Sequence, residues 1–242
     1  MHVERGKREM KMRRLLILAF ALSLMMYHSV CYGLKFYWAR ESIGTIETKE
    51  GKVGTGFVVG NNRQVVTCAH VAVGSDYYYV PDYDKSVPQV KRKSFPIKLS
   101  YSFPRYDLSV LTANEDITQN PLQLGEFRRI RPGDLISYVG WDSKTNKLQK
   151  RDAYVLAKGE AVNDVLNNIA VVDFIEFEGV GKPGWSGGPV FNSEGKVVAL
   201  MREAWTKKGI KGGNDYLMNR AFSTNMLNIL MKELLVKPKN GK

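Results

Sequence analysis

From residue 54 onward, apolar residues fall in short runs broken by glycine, proline and polar turns, the pattern of a strand-rich domain. Gly54–Gly60 and Gln64–Cys68 flank Asn61-Asn62-Arg63, which reads as a hairpin turn. Tyr77–Val80, Phe95–Tyr101 and Leu108–Thr112 read as further strands. The polar stretch Asn114–Pro121 breaks the pattern and is taken as a connection. A second set follows in Asp134–Gly140, Arg151–Ala157, Ile169–Phe177, Gly195–Met201 and Tyr216–Phe222. Two halves of about six strands each, without sequence repetition, suit an all-β double barrel. The period then changes. Met226, Leu227, Leu230, Met231, Leu234 and Leu235 recur at helical spacing, with Ser223 or Thr224 as cap, so a C-terminal α-helix is expected over 223–236.

The first barrel is expected over 43–113, the second over 122–222, and a basic tail over 237–242, all within one domain spanning 34–236. The 242 residues are 44% apolar and 25% charged, ordinary for a globular chain with a core. The formal charge of +12 is uneven: Arg5, Lys7, Arg8, Lys11, Arg13 and Arg14 precede the apolar run Leu15–Tyr27. A basic segment followed by a short apolar one is the form of a secretory signal. Residues 1–33 are therefore read as a signal peptide cleaved after Cys31 or Gly33, for export to the periplasm or medium. Leu15–Gly33 is also near the length of a membrane span, which leaves an uncleaved anchor as the other reading. Of the two cysteines, Cys31 and Cys68, the first leaves with the signal. The mature fold is then held without disulfides. Lys91-Arg92-Lys93 reads as a solvated loop, and no nucleic-acid partner is expected.

Three segments carry chemistry. They are Thr67-Cys68-Ala69-His70, Tyr106-Asp107-Leu108-Ser109-Val110-Leu111 and Gly184-Trp185-Ser186-Gly187-Gly188-Pro189-Val190. A serine hydroxyl needs a base to remove its proton, and the base needs a third group to orient it. His70 is the base at a strand end, since His2 and His28 fall in the leader. Asp107 is the candidate to orient it, with Asp134 and Asp173, inside strand-like runs, as rivals. The Leu108-Ser109-Val110-Leu111 strand after Asp107 resembles the segment that follows the triad aspartate of trypsin-like serine proteases, and that resemblance favours Asp107. Ser186 is the nucleophile, and the order His, Asp, Ser is one on which this constellation recurs. Glycines around Ser186 allow the amides of Gly184, Trp185 and Ser186 to converge as an oxyanion hole. Cys68 is read as a small buried residue rather than a nucleophile.

These segments resemble those of trypsin-like serine proteases, and the flanking sequence is most similar to the Deg/HtrA-type protease domain without a PDZ domain. Leu124–Gly140 and Phe191–Leu200 extend the likeness, which runs from about Ile43 to Leu235. The resemblance implies a chymotrypsin-like double six-stranded β-barrel acting on polypeptides without metal or cofactor. Homo-oligomers are a further family expectation. One departure stands out. Trypsins place aspartate immediately before the serine and Deg proteins usually asparagine, whereas this chain has Trp185. Activation by a new N-terminus therefore lacks its electrostatic partner, and the tryptophan is expected to wall the cleft or to make an oligomer contact.

The substrate pocket is expected between Val180, Gly181 and Lys182 on one side and Met201, Arg202, Glu203 and Ala204 on the other. Neither wall supplies the aspartate of a trypsin pocket, so small or medium apolar side chains are expected there. Lys182 is read as solvated or as attracting acidic residues. The leading reading is an exported serine endopeptidase that forms an acyl-enzyme. A catalytically weak protease-like domain that binds polypeptides or a partner is the alternative, and an esterase with the same chemistry is a third.

Overall fold

Strands rich in valine, isoleucine and tyrosine bury one face each, and the curvature needed to bury that face closes them into two barrels. The computed structural model describes residues 17, 20 and 23, then 39–81, 93–163, 170–207, 216–225 and 227–229. Met1–Trp38 and Ala39–Lys242 are separate units. In the first, Ile17, Phe20 and Ser23 are helical, with Ser23 Oγ donating to Phe20 O at 2.9 Å. The expected cleavage sites, Cys31 and most of the apolar leader lie outside the described residues. Among the described residues no helix is long and apolar enough to cross a membrane.

The first barrel contains β1 (Ile43–Thr48), β2 (Gly51–Val59), β3 (Gln64–Thr67), β4 (Tyr77–Pro81), β5 (Phe95–Phe103) and β6 (Leu108–Ala113). It closes in the order β1-β2-β3-β6-β5-β4. The second contains β7 (Leu135–Asp142), β8 (Lys147–Asn163), β9 (Ala170–Glu178), β10 (Pro189–Phe191), β11 (Val197–Lys207) and β12 (Tyr216–Ser223). Its order is β10-β11-β12-β9-β8-β7. Every ladder is antiparallel. The double six-stranded barrel expected from the sequence is thus the observed architecture.

The first barrel is filled by Ile46, Val58, Val65, Tyr79, Phe95 and Leu111, the second by Phe127, Tyr138, Ile175, Phe177, Trp185 and Val198. The alternation of inward and outward residues is clearest in β4, where Tyr77 and Tyr79 are buried and Tyr78 is not. The 114–121 connection is not wholly polar. Ile117 is buried, and Leu122 then bridges to Val59 and Leu124 to Val197, tying the crossing chain to both barrels.

Three strand readings change. β1 was missed because its glutamate, its glycine and its two threonines dilute the apolar signal, and β10 because it has three residues. β8 runs from Lys147, well before the expected Arg151, and its pairing with β9 extends to Asn163↔Ala170. Charged residues along it point to water, which hid its length. At the C-terminus, Asn225 and Leu227–Ile229 are helical and Leu227 is buried; the remainder of the expected helix and the tail lie outside the described residues. Lys93 is exposed, pairs with Glu115 at 2.9 Å and lies over the Phe95 ring; Lys91 and Arg92 lie outside the described residues.

Phe177 is fully buried, with its ring 4.8 Å from that of Tyr138. Phe177→Ala is expected to lower stability by about 3–5 kcal/mol through lost burial and a residual cavity. Urea unfolding checks this, and a loss below about 1 kcal/mol would mean that the second barrel is not packed as described.

Candidate active site

Past the end of β3 the chain turns sharply, with Val71 N and Ala72 N both donating to Cys68 O. The turn lifts His70 out of the ladder. Its backbone N donates to Asp107 Oδ1 at 3.0 Å, and its Nδ1 lies 2.8 Å from Oδ2 and 3.0 Å from Oδ1. A carboxylate only accepts, so the neutral ring carries its proton on Nδ1 and keeps a lone pair on Nε2. The imidazole is about half exposed, whereas the Asp107 side chain is 7% exposed.

Asp107 ends the 3₁₀ turn Pro104–Tyr106 in the left-handed region, φ 48° and ψ 44°, with its N–H on Pro104 O. Aspartate tolerates that conformation better than most residues. The turn swings the carboxylate back toward His70 just before β6 begins. The rivals are occupied locally: Asp134 accepts from Arg131 N, and Asp173 from Asn225 Nδ2.

The Ser186 loop is held from both barrels. Thr55 of β2 donates its N–H to Ser186 O at 2.9 Å and its hydroxyl to Gly184 O at 2.6 Å, while accepting from Trp141 N at 2.8 Å. Gly187 N donates to Met201 O on β11. Gly187 has φ +83°, and a Cβ there would lie 2.2 Å from Thr67 Oγ1 and 2.3 Å from Thr55 O. Only glycine permits the two barrels to approach so closely. Thr55 was not singled out in the sequence; the flanking Gly54 and Gly56 were its only signal.

Trp185 corrects the expectation drawn from its position. It is neither a cleft wall nor an oligomer contact but a core residue, 1% exposed, with its ring 5.3 Å from Tyr138. A Cβ on Gly140 would lie 2.4 Å from it, so the indole fills the space that a larger residue at 140 would take. Its amide donates to Lys182 O at 3.0 Å. Of the three amides proposed for an oxyanion hole, the Trp185 N–H is therefore committed to its own turn, leaving Gly184 and Ser186 as candidates.

The seven pocket candidates divide. Met201 is buried in the barrel core, and Glu203 pairs with Arg220. Lys182 is only partly exposed: its Nζ donates to Asp142, fully buried, at 2.5 Å. Its hydrogen bond is the main reason the Asp142 carboxyl sits below its ordinary pKa, reinforced by the Lys144 amide. Arg202 turns away from the expected pocket. A register shift between Met201 and Glu203 makes it the extra residue of a bulge, which re-aims the side chain. Its Nε lies 3.1 Å from Asp107 Oδ2 and its guanidinium 4.3 Å over the Phe222 ring. Its carbonyl accepts from Ser186 Oγ at 3.2 Å. One residue therefore touches both Asp107 and Ser186. Val180 and Ala204 are exposed and Gly181 is half-buried.

Cys68 is buried, its Sγ donating to Met201 O at 3.3 Å. Burial first, and the Asp107 charge second, push its thiol well above the ordinary value, which keeps it protonated and unreactive. The ligand atoms of Cys68, His70 and Asp107 lie within 4.8 Å of one another. A protonated thiol and a carboxylate already bound by His70 and Arg202 suit a metal poorly.

Residues 54–200 match the family described as Trypsin-like peptidase domain. The chain is 31% identical over 156 residues to a "Probable periplasmic serine endoprotease DegP-like" of Hahella chejuensis, covering 64% of this chain and 30% of that protein. A protein of the same description from Pseudomonas putida is 29% identical over 174 residues, with 70% and 33% covered. The chain spans about a third of the length of these curated relatives. Among solved structures, "HtrA-type protease AlgW with decapeptide" matches with a TM-score of 0.66 at 17% identity, covering 84% of this chain and 67% of that one. The MamO protease domain from Magnetospirillum magneticum matches at 0.59 and 16%, covering 81% and 98%. At such identities these two show a common fold.

Two outcomes test the scaffold. Thr55→Val removes the hydroxyl that accepts from Trp141 N and donates to Gly184 O and should cost about 1–3 kcal/mol in urea unfolding; a neutral result would remove Thr55 as the tie between loop and barrel. Because the Asp142 pKa is lowered by folding, its pairing stabilises the protein above the ordinary carboxylate range and fades as pH falls through the lowered value. Lys182→Met should therefore melt at lower temperature than the wild type at pH 7, with the gap closing on acidification. A gap that is constant with pH would contradict the pairing.

Proposed function

Because the chain belongs to the trypsin-like peptidase domain family, a family of serine endopeptidases, we propose that it hydrolyses polypeptides through an acyl-enzyme on Ser186. The observation that carries this reading is the His70–Asp107 pair, with ring and backbone nitrogens on one carboxylate. His70 Nε2 takes the Ser186 proton as Oγ attacks the peptide carbonyl, then delivers it to the leaving amine. Asp107 keeps the imidazole in that tautomer and stabilises its cation. The amides of Gly184 and Ser186 face the developing oxyanion, each such donor contributing on the order of 3 kcal/mol.

In the present arrangement the Ser186 hydroxyl donates to Arg202 O, a carbonyl that cannot act as a base. The reaction requires a rotation about the Ser186 side chain toward Nε2 as substrate enters, a tightening common between free and bound enzymes. Export is part of the proposal, supported by the basic-then-apolar leader and by the periplasmic descriptions of the relatives. Polypeptides as substrates agree with the decapeptide named with AlgW.

The Ser186–Arg202 hydrogen bond also favours a second reading, a protease-like domain that holds polypeptides with little turnover. One experiment separates the two. An active-site fluorophosphonate should label the wild type at Ser186, and Ser186→Ala should lose labelling and casein cleavage while keeping its melting temperature. The loss in turnover should be on the order of a millionfold, equivalent to roughly 8 kcal/mol. Absence of labelling in folded wild-type protein would leave the binding reading standing.

A further inference from the structure

Beneath the Ser186 loop, the interior of the second barrel ends in a side chain that the protein leaves unsatisfied. Asn219 of β12 is fully buried, and among the described residues neither its Oδ1 nor its Nδ2 has a hydrogen-bond partner. It points inward, as the buried Ala221 does two residues on, while Arg220 between them turns out to Glu176 and Glu203. Across the ladders it faces Ala204 on β11 and Phe177 on β9. A Cβ on Gly181 would fall 2.1 Å from Asn219 Oδ1 and 2.6 Å from Ala204 Cβ; one on Gly179 would fall 2.2 Å from the Tyr138 hydroxyl oxygen. The segment leading to the nucleophile therefore lies directly on the carboxamide, and its two glycines are what allow it to.

A carboxamide carries two donors and an acceptor with two lone pairs. Burying it without partners is costly, and such groups in folded proteins call for a reason. Position supplies one. Ala204 lies two residues along β11 from Arg202, whose carbonyl holds the Ser186 hydroxyl, a separation of roughly 7 Å along a strand. That is the reach of a substrate side chain attached beside the carbonyl under attack. The immediate surroundings, Tyr138, Phe177, Gly179, Gly181 and Ala204, carry no charge, and Lys182 is bound to Asp142. Tyr138 accepts from Val180 N at 3.1 Å and retains its own proton to donate.

We infer that Asn219 forms the floor of the subsite for the side chain on the acyl side of the scissile bond, and that it selects a neutral hydrogen-bonding residue: Asn, Gln, Ser or Thr. This rests on the protease reading of Ser186. A substrate side chain that reaches the carboxamide exchanges an unsatisfied group for a paired one. The apolar preference suggested by the sequence is replaced by a polar one, because a site built to pair a polar group discriminates strongly against a side chain that lacks it.

The test is a peptide series varied only at that position, read as kcat/KM on the full chain and as Kd on Ser186→Ala protein. Wild type should favour Asn, Gln, Ser or Thr over Leu and over Lys by on the order of a hundredfold. Asn219→Leu should move the preference to Leu, and Asn219→Asp should move it to Lys, a gain that a purely structural asparagine would not produce. Melting curves confirm that each variant folds; should Asn219→Leu fail to fold, Asn219→Asp alone decides. Preferences that ignore residue 219 in both readouts overturn the inference and leave the protease reading intact. Affinities that follow residue 219 without any Ser186 chemistry uphold the subsite and sink the protease reading instead.

Discussion

One carboxylate organises the site. Asp107 accepts from the backbone and ring nitrogens of His70 and from Arg202 Nε, with little of it left to water. A buried carboxylate is tolerable only when such charge-assisted bonds replace its hydration. Their directions also dictate the state of the imidazole: with Nδ1 committed to Asp107, Nε2 is the nitrogen left to act as base. The local backbone makes this possible at both ends. The left-handed conformation of Asp107 turns its carboxylate toward β3, and the bulge at Arg202 turns a guanidinium toward it from the other barrel.

The second constraint is the seam between barrels. Thr55 satisfies the amide of Trp141 and the carbonyls of Gly184 and Ser186, so a first-barrel strand and the second-barrel nucleophile loop share one set of hydrogen bonds. Trp185 anchors the same loop from beneath by filling the barrel core. Fixed above by Thr55 and below by its own indole, the loop has a defined backbone, and among the described residues the Ser186 hydroxyl is held only by its one hydrogen bond to Arg202 O. A fixed backbone around one reactive side chain is what the proposed reaction requires.

Much of this was legible before any coordinates. The alternation of short apolar runs gave two sets of strands, and the His70, Asp107 and Ser186 segments stood out because reactive residue types lay among glycines and at strand ends. What stayed hidden depended on register and depth. Whether Arg202 lines a pocket or backs a carboxylate turns on a one-residue bulge, which leaves no compositional mark. Lys182 looked like any surface lysine, because its partner Asp142 is fully buried forty residues earlier in the chain. Trp185 read as a cleft wall or an oligomer contact because its neighbours Tyr138 and Gly140 come from β7. Asn219 sits in an ordinary strand, and only the closeness of Gly181 and Ala204 marks it.

The protonation of the imidazole tests the central claim most directly. With nitrogen-15-labelled protein at a pH where the imidazole is neutral, His70 should show a protonated Nδ1, seen as a low-field proton resonance, and an unprotonated Nε2; Asp107→Asn should abolish that resonance. A neutral ring protonated at Nε2 instead, or one indifferent to residue 107, would contradict the account.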